Sequence, residues 1–215
     1  MVKDWRDMVK KNYPTLYAWL VVAVLVAGPL ALFLELAEDV WLNEGFTWDA
    51  TFMLAVHGLS RPWLDTLFMG ITQTAGPLII LPLLVTAVIL WRHQKHEAAF
   101  LLVLSYAGAV GLNTLLKALF ARPRPIIFPP LSVETSYSFP SGHTMSAVIF
   151  YGLLALWFWH TRHYGWAVIS GLWVPLVALS RIYLGVHYPS DVLASLAVGS
   201  LWLMATLWVY NRQVI

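Results

Sequence analysis

The sequence predicts an all-α integral membrane protein: six transmembrane helices in one bundle, with a short interfacial helix between the first and second spans. Three observations predict it. Of 215 residues, 60% are apolar and 11% charged, with a mean hydropathy of +0.70. Soluble domains run at about 45–50% apolar and about 25% charged. Six stretches contain no Asp, Glu, Lys, Arg or His: residues 15–34, 66–91, 98–116, 144–159, 164–180 and 192–211. A spanning helix needs about 20 apolar residues, and a helix satisfies its own backbone in hydrocarbon. Finally, there are 12 Trp, a residue that gathers at membrane–water interfaces. The composition excludes a disordered chain and argues against a water-soluble globule. The chain reads as a single membrane-embedded domain, 1–215.

The elements follow in order. The first run is too long for the apolar part of a signal peptide and has no small-residue cleavage site, so it is expected as a span over 15–36. Residues 46–59 are half apolar and carry Trp48, Asp49 and His57, which suits a helix lying in the interface. The second span, 66–91, contains Pro77 and Pro82, as the first contains Pro29; membrane helices tolerate such kinks. The third, 98–117, ends at Lys117, and Pro123 and Pro125 forbid its continuation. The fourth, 143–160, opens at Phe139-Pro140-Ser141-Gly142-His143, with Ser141 as N-cap. The fifth covers 164–181. The sixth covers 190–211, with Pro189 suited to a first helical position.

Basic residues set orientation. With six spans, Lys3, Arg6, Lys10, Lys11, Arg92, Lys95, Arg162 and Arg212 share the side of the termini, and Arg61, Lys117, Arg122, Arg124 and Arg181 fall opposite. Eight against five predicts cytoplasmic termini in a cell membrane. The acidic residues Glu38, Asp39, Glu44 and Asp49 are expected to face water on the outer side. With no Cys and a net charge of +2, disulfides, thiolate metal sites and nucleic-acid binding are not expected.

The outer basic residues gather at helix ends. Each alone has a plain reading as a long side chain reaching the headgroups. The Pro-Ser-Gly-His turn alone could be a capped helix start, and Asp191 alone could complement a helix dipole. Their topology speaks for more. The ends carrying Lys117 and Arg124, Ser141 and His143, and Arg181, His187 and Asp191 all face the same side. Cations and first-turn N–H groups bind a phosphoryl group. A histidine oriented by a carboxylate can attack phosphorus, and a second histidine can protonate the leaving oxygen.

Together these residues resemble the type-2 phosphatidic acid phosphatase superfamily. Its signature of Lys-x6-Arg-Pro, Pro-Ser-Gly-His and Ser-Arg-x5-His-x3-Asp is matched at Lys117…Arg124-Pro125, at Pro140-Ser141-Gly142-His143 and at Ser180-Arg181…His187…Asp191. The resemblance implies a metal-independent phosphohydrolase with a phosphohistidine intermediate and no cofactor. It assigns His187 as nucleophile, Asp191 as its orienting partner and His143 as general acid and then base. Lys117, Arg124, Ser141, Gly142 and Arg181 would hold the phosphate. Arg122 lies outside the signature. His57, His93, His96, His160 and His163 match nothing in it.

The implied partners are membrane lipids and a lipid phosphate substrate. The expected reaction is undecaprenyl diphosphate to undecaprenyl phosphate on the extracytoplasmic face. A phosphatidylglycerophosphate or phosphatidate phosphatase and a lipid phosphotransferase are the alternatives. A transporter or scaffold is disfavoured, because no charged residue lies deep in a span. The soluble haloperoxidases that share the constellation are disfavoured by the six apolar runs.

Overall fold

The computed structural model describes residues 15–213, with side chains from 22 to 210. Every regular element among them is helical: α1 (Thr15–Leu42), α2 (Thr47–His57), α3 (Pro62–Gln73), α4 (Ile80–Arg92), α5 (His96–Phe120), α6 (Gly142–His160), α7 (Tyr164–Tyr183) and α8 (Pro189–Gln213). One 3-10 turn, Pro77–Ile79, precedes α4. Lys3, Arg6, Lys10 and Lys11, used above for orientation, lie outside the described residues, as does the side chain of Arg212.

Helices α5, α6, α7 and α8 are long and apolar enough to cross a membrane, and α3 with α4 makes a fifth candidate bent by 48°. No more than 39% of the most apolar stretch of any of the four is buried inside the fold. Val85, Leu104, Leu115, Ile169 and Leu172 instead point outward, as expected of helices solvated by lipid. α1 has 28 residues, about 42 Å of helix at about 1.5 Å per residue. Its last turns carry Glu35, Glu38 and Asp39. The expected interfacial segment folds as α2.

α6 occupies the centre, packed along α7, α8 and α5; α1 lies along α8, α4 along α5, and α3 against α7. Lipid gives helices little hydrophobic reason to associate, so close backbone approach through small residues matters. Ala147 of α6 and Ala194 of α8 are fully buried. A larger apolar group, Ile71, Ile79, Leu83, Leu102, Phe150 and Val177, ties α3, α4, α5, α6 and α7 together.

The run 66–91, expected as one span, is broken. Pro77 has no N–H to continue a helical ladder, and Gly76 before it adopts φ −88° and ψ −150°, outside the helical region. The groups freed at the break find partners on neighbouring helices. The Thr74 carbonyl accepts from Tyr151 Oη at 3.1 Å, and Thr74 Oγ1 accepts from Trp173 Nε1 at 2.8 Å. The break thus faces α6 and α7, and it lies beside the candidate site.

Candidate active site

The ends of α5, α6, α7 and α8 meet at one end of the bundle, where the segment 121–141 runs over them. Ala121, in the left-handed region at φ +45°, ends α5 with its N–H on the Lys117 carbonyl. The segment is pinned by Ser138 N–H to the Arg122 carbonyl and by Leu131 N–H to the Leu184 carbonyl, both at 2.9 Å. After α7 the chain turns at Gly185, φ +75°, where a Cβ would stand 2.6 Å from the Phe128 ring. This turn returns His187 to the mouth of α8.

His187 and Asp191 are buried, 1% and 0% exposed. His187 Nδ1 lies 3.4 Å from Asp191 Oδ2. The same oxygen accepts from Ser138 Oγ and, at 2.9 Å, from the Tyr188 N–H. On the other side of the ring, Nε2 faces Arg124 Nη1 at 3.3 Å. These partners assign the proton to Nδ1 and leave Nε2 with its lone pair, which accepts from Arg124. Burial pushes the His187 pKa well below the ordinary histidine value, and Arg181, Arg124, Lys117 and His143 push it the same way. The imidazole is therefore neutral at neutral pH.

Three cations converge beside it. Arg124 is fixed by Nη1 to the Val186 carbonyl and Nε to the Ser136 carbonyl, each 2.7 Å. Arg181, 1% exposed, donates Nη1 to Thr72 Oγ1 at 2.5 Å and Nη2 to Glu134. Its buried Nε has no partner. Lys117 Nζ donates to the Tyr137 carbonyl. Ser141 caps α6 as expected, its Oγ accepting from Thr144 N–H at 3.5 Å. Its own N–H is taken by the Asp191 carbonyl at 3.3 Å. Gly142 and His143 follow as first-turn N–H groups with no intrahelical partner. His143 lines a cavity of about 220 Å³ shared with Gly76, Ile80, Tyr106, Asn113 and Ser146. Every residue expected from the signature thus lies at this one end, around a site that suits an oxyanion.

Four participants were not expected. Glu134 bridges two of the cations, bonded to Arg181 and 3.9 Å from Arg124. Burial alone would raise its carboxyl pKa, but Arg181, His143 and Arg124 outweigh burial and hold it below the ordinary glutamate value. Ser138 bonds the Asp191 carboxylate. Asp49, expected to face water, is instead buried at 3% exposure and accepts from the Ser190 N–H at 2.9 Å. It is covered because α2 folds against α7 and α8. Arg122 pairs with Asp49 at 3.0 Å and with Asp191 at 2.5 Å. Among the described residues, no group of three or more His, Asp or Glu is placed to hold a metal ion.

Residues 98–215 match the model of the PAP2 superfamily. The chain is 34% identical over 178 residues to phosphatidylglycerophosphatase B of Bacillus subtilis, covering 79% of this chain and 86% of that protein. It is also 34% identical over 157 residues to undecaprenyl-diphosphatase BcrC of the same organism, covering 67% and 75%. The crystal structure of the transmembrane PAP2 type phosphatidylglycerolphosphate phosphatase from Bacillus subtilis superposes with a TM-score of 0.76 at 31% identity, covering 86% of this chain and 96% of that one. With the signature residues gathered at one end of a helical fold, and with this family match and these relatives, the chain belongs to the PAP2 superfamily and is a membrane lipid phosphatase.

Proposed function

We propose that the chain removes the terminal phosphate of a lipid diphosphate, undecaprenyl diphosphate first, through a phosphohistidine at His187. The observation that carries the reading is the pair of environments around one imidazole: Nδ1 on the buried Asp191 carboxylate, Nε2 toward Arg124. Nε2 attacks the terminal phosphorus, and the bond to the bridging oxygen breaks. His143 gives that oxygen its proton, and lipid monophosphate leaves. His143 then takes a proton from water, whose oxygen attacks the phosphohistidine and releases inorganic phosphate. Arg124, Arg181, Lys117, the Ser141 hydroxyl and the Gly142 N–H hold the non-bridging oxygens, where charge gathers as the phosphoryl group transfers.

In the bilayer, α1 makes the first crossing and the bent α3–α4 pair the second, followed by α5, α6, α7 and α8. Six crossings put both termini on the cytoplasmic side and the site at the extracytoplasmic interface, supported by the basic residues of the sequence. A second reading, hydrolysis of phosphatidylglycerol phosphate, is favoured by the 86% coverage of a phosphatidylglycerophosphatase.

Initial rates on undecaprenyl diphosphate, phosphatidylglycerol phosphate, phosphatidate and a soluble sugar phosphate decide between them. The highest kcat/KM is expected on undecaprenyl diphosphate. A preference for phosphatidylglycerol phosphate selects the second reading. Free phosphate released with no acceptor lipid present separates hydrolysis from phosphotransfer.

A further inference from the structure

We infer that Asp49 and Arg122 are positioning residues for the His187–Asp191 pair, Asp49 balancing the Arg122 charge so that the Asp191 carboxylate keeps a net negative charge for the imidazole. The inference rests on the reading of His187 as nucleophile. Neither residue is a specified signature position: Arg122 falls among the six unspecified residues between Lys117 and Arg124, and Asp49 comes from α2, an element the signature does not touch.

The geometry is a closed relay. Asp191 divides its oxygens: Oδ1 takes Arg122 Nη1 at 2.5 Å, while Oδ2 takes Ser138 Oγ, the Tyr188 N–H and the His187 side. Arg122 is held in turn. Nη1 also donates to Ser190 Oγ at 2.8 Å, Nη2 donates to Asp49 Oδ2 at 3.0 Å, and the guanidinium lies 4.1 Å from the Tyr188 ring centroid. Asp49 receives three donors, the Ser190 N–H at 2.9 Å, Ser190 Oγ at 2.5 Å and Arg122. Surroundings made only of donors suit an ionised carboxylate, which can only accept.

Charge balance gives the relay its purpose. With both carboxyls ionised, Asp49, Arg122 and Asp191 together carry one net negative charge. When His187 becomes positive during turnover, the buried group becomes neutral. Without Asp49, Arg122 and Asp191 already cancel, and a positive imidazole is left uncompensated in a buried site. Arg181, Arg124, Lys117 and His143 also face His187 and oppose its protonation. Glu134 lies across Arg181 and Arg124. The Asp191 side is thus where compensating negative charge reaches the ring.

The test is the pH dependence of kcat/KM on one lipid diphosphate in one detergent, so that ionisation of the substrate is common to all variants. Asp49→Asn is expected to move the acid limb down by about one pH unit and to lower kcat. Asp49→Asn/Arg122→Gln restores the net charge, and its limb is expected back near that of the wild type. A merely structural role predicts the reverse ordering, with the double variant worse and no limb moved. That result, or equal limbs in all three, overturns the inference. Retained vanadate affinity and unfolding temperature show that the variants are folded. Should Asp49→Asn not fold, Arg122→Gln is compared with the double variant. Its limb is expected higher by about one unit, and equality overturns the inference. Activity in His187→Ala would instead overturn the reading on which the inference stands.

Discussion

At His187 the proposed chemistry comes down to one nitrogen, Nε2, which faces Arg124 while Nδ1 is committed to Asp191. His187→Ala removes it, and turnover is expected to fall by at least about 10³-fold, with vanadate still bound by the cations. Substantial activity in the purified variant would sink the phosphohistidine mechanism. Residues of this kind were legible in the sequence because their spacing is local: Ser180-Arg181, His187 and Asp191 lie within one short segment. Asp49 and Arg122 were not legible, since nothing in the sequence pairs an acid on α2 with a cation far downstream. A buried polar group declares itself through its partners, and those are brought together by packing. Scarcity of charge was the one available hint. With so few charged residues, an acid on a half-apolar helix has few solvated places to go.

Among elements, the segment 121–141 and the break between α3 and α4 shape the site. Glu134 holds Arg181 and Arg124 with a carboxylate that stands where a substrate oxyanion would make the same charge-assisted bonds. On the proposed reading, an incoming phosphate competes with it for both guanidiniums. Glu134→Gln keeps the shape and removes the competing charge. Vanadate is therefore expected to bind about fivefold more tightly, consistent with about 1 kcal/mol from a charge-assisted bond. Titration of vanadate against activity measures this, and unchanged or weaker binding counts against competition. At the break, a Cβ on Gly76 would meet His143 Nε2 at 2.7 Å. The imidazole can swing aside, so Gly76→Ala is expected to leave the unfolding temperature unchanged. Loss of a positioned general acid costs about 10²–10⁴-fold, and kcat should fall toward that of His143→Ala. The break was half legible. Pro77 was visible in the run, but a kink and an interruption look alike until Gly76 is seen against His143.

For the whole molecule, the run lengths and the alternation of spans were enough to bring three distant segments to one end, because a membrane allows only two. Which membrane face that end meets is a separate question, decided by the basic residues rather than by packing. The absence of Cys makes it directly measurable. Val133, 92% exposed, lies on the segment over the site, and His93, also exposed, lies at the opposite end, after α4. Each is changed to Cys in turn, and intact cells are treated with a membrane-impermeant maleimide. Val133→Cys is expected to react in intact cells, and His93→Cys only after permeabilisation. The reverse pattern would place the site on the cytoplasmic face. Eight basic residues would then lie outside against five inside, against the positive-inside tendency for the chain as a whole. Under the expected pattern the departure is confined to the site end. Lys117, Arg124 and Arg181 would run against the positive-inside tendency, and binding the phosphate of an outward-facing lipid would be the reason they are there.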